Sequence, residues 1–128
     1  MIRFTWDHLQ LCSDDPEATA AWFATCLNAD IVRRPGRVDL RLGDINLFIT
    51  PVVPVSDPVR EQRVPGIDHF GVTVPDLDEA FAHLTRCGAE IVQPIMPVRA
   101  GVRCCFVRAP GRILVEVLER RPAEMAFT

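Results

Sequence analysis

The chain has 128 residues, 48% apolar and 24% charged, with a formal net charge of -3. This is the balance of one globular domain, with no electrostatic case for binding nucleic acid or an anionic membrane. No apolar run approaches the ~20 residues of a membrane span. The start, MIRFTWDHLQ, lacks the charged and apolar regions of a secretory signal. Five cysteines, Cys12, Cys26, Cys87, Cys104 and Cys105, form no CxxC pair and no even framework. A cytoplasmic, thiol-bearing protein is predicted. There is no lysine and no tyrosine, so every basic side chain is an arginine.

In chain order, FTWDHLQLC (residues 4–12) reads as a strand. Asp15 is an N-cap candidate with Pro16 at the first helical position, and a helix is predicted from Pro16 to about Leu27. The period then changes from helical to alternating. ADIVRR, RVDLRL and INLFIT read as three strands, with Gly43-Asp44 as a hairpin turn. Residues 51–65, PVVPVSDPVREQRVP, are proline-rich and read as a surface linker. GIDHFGVTV opens a second strand–helix pair, with Asp76 as N-cap, Glu79 three residues on, and a helix from Leu77 to about Cys87 stopped by Gly88. AEIVQP, VRCCFVR and ILVEVLE complete it, with Pro110-Gly111 at a turn. The loop QPIMPVRAG, Gln93 to Gly101, serves as a lid or as a plain connection. The end, RRPAEMAFT, has no pattern and is expected to fray.

The two halves repeat. Shifted by 61 residues, Asp7 falls on Asp68, His8 on His69, Asp15 on Asp76, Ala21 on Ala82 and Cys26 on Cys87. One β-α-β-β-β unit is therefore written twice: module one about 4–50, linker 51–65, module two about 66–120.

Side chains alternate across a strand. Packing Leu9 and Leu11 on the helix leaves Trp6, His8, Gln10 and Cys12 on the other face. By the same logic Asp39 and Arg41 in the third strand, and Asn46, Phe48 and Thr50 in the fourth, face away from the helix. In module two His69, Gly71 and Thr73 share that face with Leu114, Glu116 and Leu118. Glu116 is an isolated acid in an apolar strand, costly to bury without a cation. Two imidazoles and one carboxylate are the donors of a 2-His-1-carboxylate metal site. The alternative is that the histidines are satisfied packing residues and Glu116 lies on an exposed strand. Asp39 is the other acid on the predicted inner face and a second catalytic candidate, with a solvated hairpin-edge position as its alternative. Arg41 and Arg103 could hold a substrate carboxylate or phosphate bidentately, or stand at a rim in water. Trp6 and Phe48, with Leu118, would supply apolar walls. His83, beside the apolar stripe of the second helix, is expected to be solvated. Cys104 and Cys105 read as strand packing, one side chain to each face, and Cys26 and Cys87 as core.

A doubled β-α-β-β-β unit, with histidine in the first strand of each and glutamate in the last, resembles the vicinal oxygen chelate superfamily. That superfamily includes glyoxalases, epimerases, extradiol dioxygenases, fosfomycin-resistance thiol transferases and bleomycin-binding proteins. DHFGVTVPDLDEAFAHL with GAEIV, and ILVEVLE, carry the likeness over about Phe4 to Arg120. It implies an α+β fold, the two repeats curling into a cup of mixed sheet around one metal, with helices outside. It implies His8, His69 and Glu116 as ligands of one divalent ion (Mn, Fe, Ni, Zn or Co), and a homodimer. The fourth ligand usual in glyoxalases falls on Phe48 and is missing. The tyrosine of extradiol enzymes, and the lysine and tyrosine of fosfomycin-resistance enzymes, are absent. The expected activity is a metal-dependent lyase or isomerase acting through enolate stabilisation on a small, oxygen-rich, anionic substrate. Glu116 and Asp39 are its catalytic candidates, and Arg41, Arg103, Trp6, Gln10 and Phe48 its substrate-binding candidates. The alternatives are an extradiol-type Fe(II) dioxygenase and a metal-free protein that binds an antibiotic or metabolite.

Overall fold

The computed structural model describes residues 1–3, 5–54, 65 and 67–122. Most of the expected linker, and the tail from residue 123, lie outside the described residues. The chain divides into two compact units, residues 1–57 and 58–128, each built as an α+β β-α-β-β-β module.

The first module runs β1 (His8–Ser13), α1 (Pro16–Leu27), β2 (Asp30–Arg34), β3 (Arg37–Leu42) and β4 (Ile45–Pro51). The helix begins where Asp15 accepts from the Ala18 N–H at 3.1 Å and Pro16 supplies a fixed φ. It ends at Asn28, which takes the left-handed conformation with φ 56°. The sheet order is β1-β4-β3-β2, with β1 and β4 parallel and the other pairs antiparallel. Leu11, Ala20, Phe23, Cys26, Val38, Leu40, Leu47 and Ile49 are buried between α1 and this sheet. Each large apolar side chain buried there contributes roughly 1.5–3 kcal/mol.

The second module repeats the plan: β5 (Phe70–Thr73), α2 (Leu77–Arg86), β6 (Glu90–Arg99), β7 (Val102–Ala109) and β8 (Ile113–Arg120), in sheet order β5-β8-β7-β6. Asp76 caps α2 by accepting from the Glu79 N–H at 3.1 Å, and Gly88 carries the positive φ that turns the chain out of the helix. Leu77, Leu84, Cys105, Val107, Val115 and Val117 are its core. Among the described residues no helix is long and apolar enough to cross a membrane.

Three local expectations are revised. β1 starts at His8 and β5 at Phe70, so Trp6, Asp7, Asp68 and His69 precede their strands and the alternation rule does not govern them. The segment Gln93 to Arg99 is no lid, because β6 runs through it to Arg99. Pro94 and Pro97 fit since β6 is an edge strand, and its register shifts three times between Ile91 and Arg99. His83 is half-buried, with its ring against the Cys87 sulfur at 3.6 Å.

Candidate functional site

In module two, β8 places Glu116 on the face away from α2. Its register partners are Gly71 on β5 and Phe106 on β7. His69, just before β5, directs Nε2 at Glu116 Oε1 at 3.1 Å, while its Nδ1 lies 2.8 Å from Asp68 Oδ2. The imidazole meets the Phe106 ring edge-on at a centroid distance of 5.2 Å. Below them Val102, Cys104 and Leu118 are buried, with Met96 and Phe106 packed against them. Burial, and then the carboxylate of Glu116 beside it, push the Cys104 thiol up to about 11, so it stays protonated against that acid. Gly71 keeps space open: a Cβ there would lie 3.0 Å from Leu118 Cδ1 and 3.8 Å from Glu116 Oε1.

Module one presents its histidine in the same way. His8 Nδ1 lies 2.7 Å from Asp7 Oδ2. In place of a carboxylate, the ring stacks on Phe48 with centroids 4.7 Å apart and planes at 27°. The guanidinium carbons of Arg37 and Arg34 stand 5.3 and 6.0 Å from the Phe48 centroid. Gln10, the register partner of Phe48, donates from Nε2 to Thr50 Oγ1 at 2.6 Å. Arg41 is exposed and donates to Asn46 Oδ1 at 3.0 Å, beside the register position of His8. Trp6 is 79% exposed and forms no wall in its own module.

Two candidates are corrected. Asp39 is neither a base facing a substrate nor a solvated edge residue, being only 1% exposed. It accepts from the Ile49 N–H at 2.9 Å and pairs with Arg34 and Arg37, each at 2.7 Å. Burial pushes its carboxyl up, but the Arg37 hydrogen bond, the Ile49 amide and the two arginine charges outweigh it and hold the pKa below the ordinary range. Its role is structural: the paired rungs between β3 and β4 end at Leu40–Leu47, and Asp39 takes the N–H that a further rung would have engaged. Arg103 does not share the face of Glu116. Cys104 and Phe106 do, and Arg103 lies on the helix side, bound to buried Glu119 at 3.0 Å and to Asp78 at 3.2 Å. Glu119 also accepts from the Leu77 N–H at 2.8 Å, closing the start of α2.

The donor set bears on whether a metal fits. His69 has a carboxylate at each nitrogen. A neutral imidazole carries one proton, so with both carboxylates ionised the two contacts are satisfied only if both nitrogens are protonated or if a cation replaces one proton. Two donors bound to one first-row ion at ~2.0–2.2 Å each reach a separation near 3 Å, which 3.1 Å matches. The same separation is that of an ordinary hydrogen bond, so His69 and Glu116 supply two donors of the kind a divalent ion takes, compatible with one but not specific to it. Among the described residues no group of three His, Cys, Asp or Glu side chains is gathered around one point.

The residues that sequence reasoning left without a role are Asp7 and Asp68. Their signal was the DH pair itself, present in both modules.

The fold agrees with comparison to known proteins. The chain belongs to the Glyoxalase/Bleomycin resistance protein/Dioxygenase superfamily, whose family model matches residues 5–117. It is similar in fold to an integron cassette protein from the mobile metagenome of V. cholerae, at 23% identity and TM-score 0.71, covering 93% of this chain and 97% of that one. It is also similar to a virulence protein of Salmonella typhimurium (20% identity, TM-score 0.74, 94% and 100% covered) and to the fosfomycin resistance protein FosX of Listeria monocytogenes (19%, 0.73, 97% and 98%). No curated protein matches.

Proposed function

We propose that the protein is a divalent-metal-dependent enzyme of the glyoxalase-like group, a lyase or isomerase acting on a small, oxygen-rich, anionic substrate. The proposed ligands are His8 from module one, with His69 and Glu116 from module two. The observation that carries this reading is the 3.1 Å approach of His69 Nε2 to Glu116 Oε1 on the face away from the helix, with His8 presented by the equivalent frame of module one. A divalent ion held there supplies Lewis acidity toward two adjacent substrate oxygens and so stabilises an enolate.

The chain's own residues supply the rest. Glu116 doubles as ligand and as the carboxylate that moves a proton, since Asp39 is locked in its ion-pair cluster. Arg41, exposed and donating to Asn46 among the described residues, is available for a substrate carboxylate or phosphate. Phe48 gives the apolar surface against which a flat substrate lies, and the amide of Gln10 lines it beside Thr50. The reading includes a cytoplasmic setting and a homodimer.

An extradiol-type Fe(II) dioxygenase is the second reading. Phe48 occupies the place of Glu116 in module one, which leaves three ligands rather than four. Purified protein loaded in turn with Mn, Fe, Co, Ni and Zn separates the two. Solvent deuterium appearing in enolisable hydroxy and keto acids, without oxygen uptake, supports the lyase or isomerase. Oxygen uptake on catechols with Fe(II) alone rejects it. Neither reaction, with tight binding of a drug-like ligand by metal-free protein, points to a binding protein.

A further inference from the structure

We propose that Asp7 and Asp68 are positioning residues that hold the ring proton of His8 and of His69 on Nδ1, leaving each Nε2 as a bare donor. Neighbouring side chains in a strand point to opposite faces, so an Asp-His pair inside a strand could not close on itself. Here both aspartates precede their strands, and each carboxylate turns onto the next residue's Nδ1, at 2.7 Å in module one and 2.8 Å in module two. An ionised carboxylate only accepts, so the nitrogen facing it carries the proton, and in a neutral ring the other nitrogen then carries a lone pair. His69 meets a carboxylate at both nitrogens, and the shorter contact, 2.8 Å to Asp68 against 3.1 Å to Glu116, assigns its proton to Nδ1. An aromatic contact holds each ring in place as well: Phe48 stacked on His8, and the edge of Phe106 against His69.

The geometry recurs although the surroundings differ. Both aspartates are exposed, Asp7 at 87% and Asp68 at 38%, where an ion pair contributes little to stability. Two settings with one contact point to a shared demand on the imidazole rather than on the fold. In module two the consequence is direct. With its proton on Nδ1, His69 turns a lone pair toward Glu116, an arrangement that a cation between them relieves. That an ion is what the two Nε2 atoms serve rests on the proposed ligand set; the tautomer assignment does not.

The test uses the full chain, labelled with 15N and freed of metal. Long-range proton–nitrogen correlation spectra of the histidine rings are recorded at about pH 8.5, above the ordinary imidazole range. His8 and His69 are expected in the Nδ1–H form, with His83 as internal control. Asp7→Ala and Asp68→Ala should each release only their own ring to a mixture of tautomers, and Asp68→Asn, which keeps an acceptor oxygen, should restore the Nδ1–H form of His69. A wild-type protein in the Nε2–H form, or rings unmoved by the alanine variants, overturns the proposal. In a second arm, Co(II) titrated into the same proteins should bind the alanine variants roughly 10–100-fold more weakly. Equal affinity in wild type and variants overturns the positioning role. Wild type that binds no Co(II) while its tautomers behave as stated supports the tautomer assignment and rejects the ligand set.

Discussion

Phe48 and Glu116 hold the same place in the two modules: Phe48 lies beside Gln10 across the parallel β1–β4 pair, and Glu116 beside Gly71 across β5–β8. Each module's histidine turns to its own partner, His8 stacking on the ring and His69 meeting the carboxylate. One copy of the duplicated frame thus carries a polar donor and the other an apolar wall.

Phe48 supports His8 and is itself covered by Arg34 and Arg37. Truncation to Ala removes an aromatic stack and a cation–π contact from a half-buried site, a loss of about 1–3 kcal/mol. Urea unfolding of Phe48→Ala should show this as a lower midpoint with little change in slope. Phe48→Leu, which keeps much of the apolar volume, should recover part of it.

Gly71 leaves room at Glu116. Its missing Cβ would press on Leu118 Cδ1, the end of a flexible side chain, so Gly71→Ala should cost less than about 1 kcal/mol. Gly71→Gln, which copies the module-one residue Gln10, must reach past that point and displace the Glu116 carboxylate. It should lower metal affinity tenfold or more while the thermal midpoint changes by only a few degrees.

The buried acids Asp39 and Glu119 make the fold sensitive to acid. For Glu119 burial pushes the carboxyl up, but the Leu77 amide, the Arg103 hydrogen bond and the charges of Arg103 and Arg121 outweigh it. Both folded pKa values lie below the ordinary 3.8 and 4.5, so the native state favours the ionised form. Their contribution is complete above the ordinary carboxylate range and is lost as pH falls through the depressed values. The melting temperature should be nearly flat between roughly pH 6 and 8 and drop below about pH 4. Asp39→Ala strands the buried Ile49 N–H, at a cost of about 1–3 kcal/mol near neutral pH, and should flatten that acid limb.

Thiol reactivity should sort by burial. Cys12 is exposed, whereas Cys104 and Cys105 are buried, and burial pushes both thiols up to about 11. Brief iodoacetamide treatment of native protein near pH 8, read by peptide mass spectrometry, should mark Cys12 and leave Cys104 and Cys105 unmodified until the protein is denatured. Early labelling of Cys104 would show that the face beneath Glu116 is open.

Much of this was legible from periodicity. The 61-residue repeat, both helix starts at Asp15 and Asp76, and the equivalence of Phe48 with Glu116 follow from local pattern, which the two identical sheet orders match. Errors arose where tertiary context overrode pattern. In VRCCFVR two adjacent cysteines are both buried, so either strand phase reads as apolar, and the pattern does not tell that Arg103 turns to the helix side rather than toward a substrate. Alternation put Asp39 away from the core side but could not see the arginines of the β2–β3 hairpin that neutralise it there. Pro94 and Pro97 suggested a loop where an edge strand tolerates them by slipping register. Asp7 and Asp68 drew no role because alternation sends neighbours apart, and only the strand starts show that the rule lapses there.

The central claim is that His8, His69 and Glu116 hold a metal ion, and metal content tests it most directly. Protein purified without chelator or histidine tag, beside Glu116→Ala, is to be measured by elemental analysis before and after reloading with Mn, Fe, Co, Ni and Zn. The account predicts about one divalent ion per chain in the wild type and its loss in the variant. Wild-type protein that holds no ion even after reloading, or a Glu116→Ala variant that holds as much as the wild type, would contradict it.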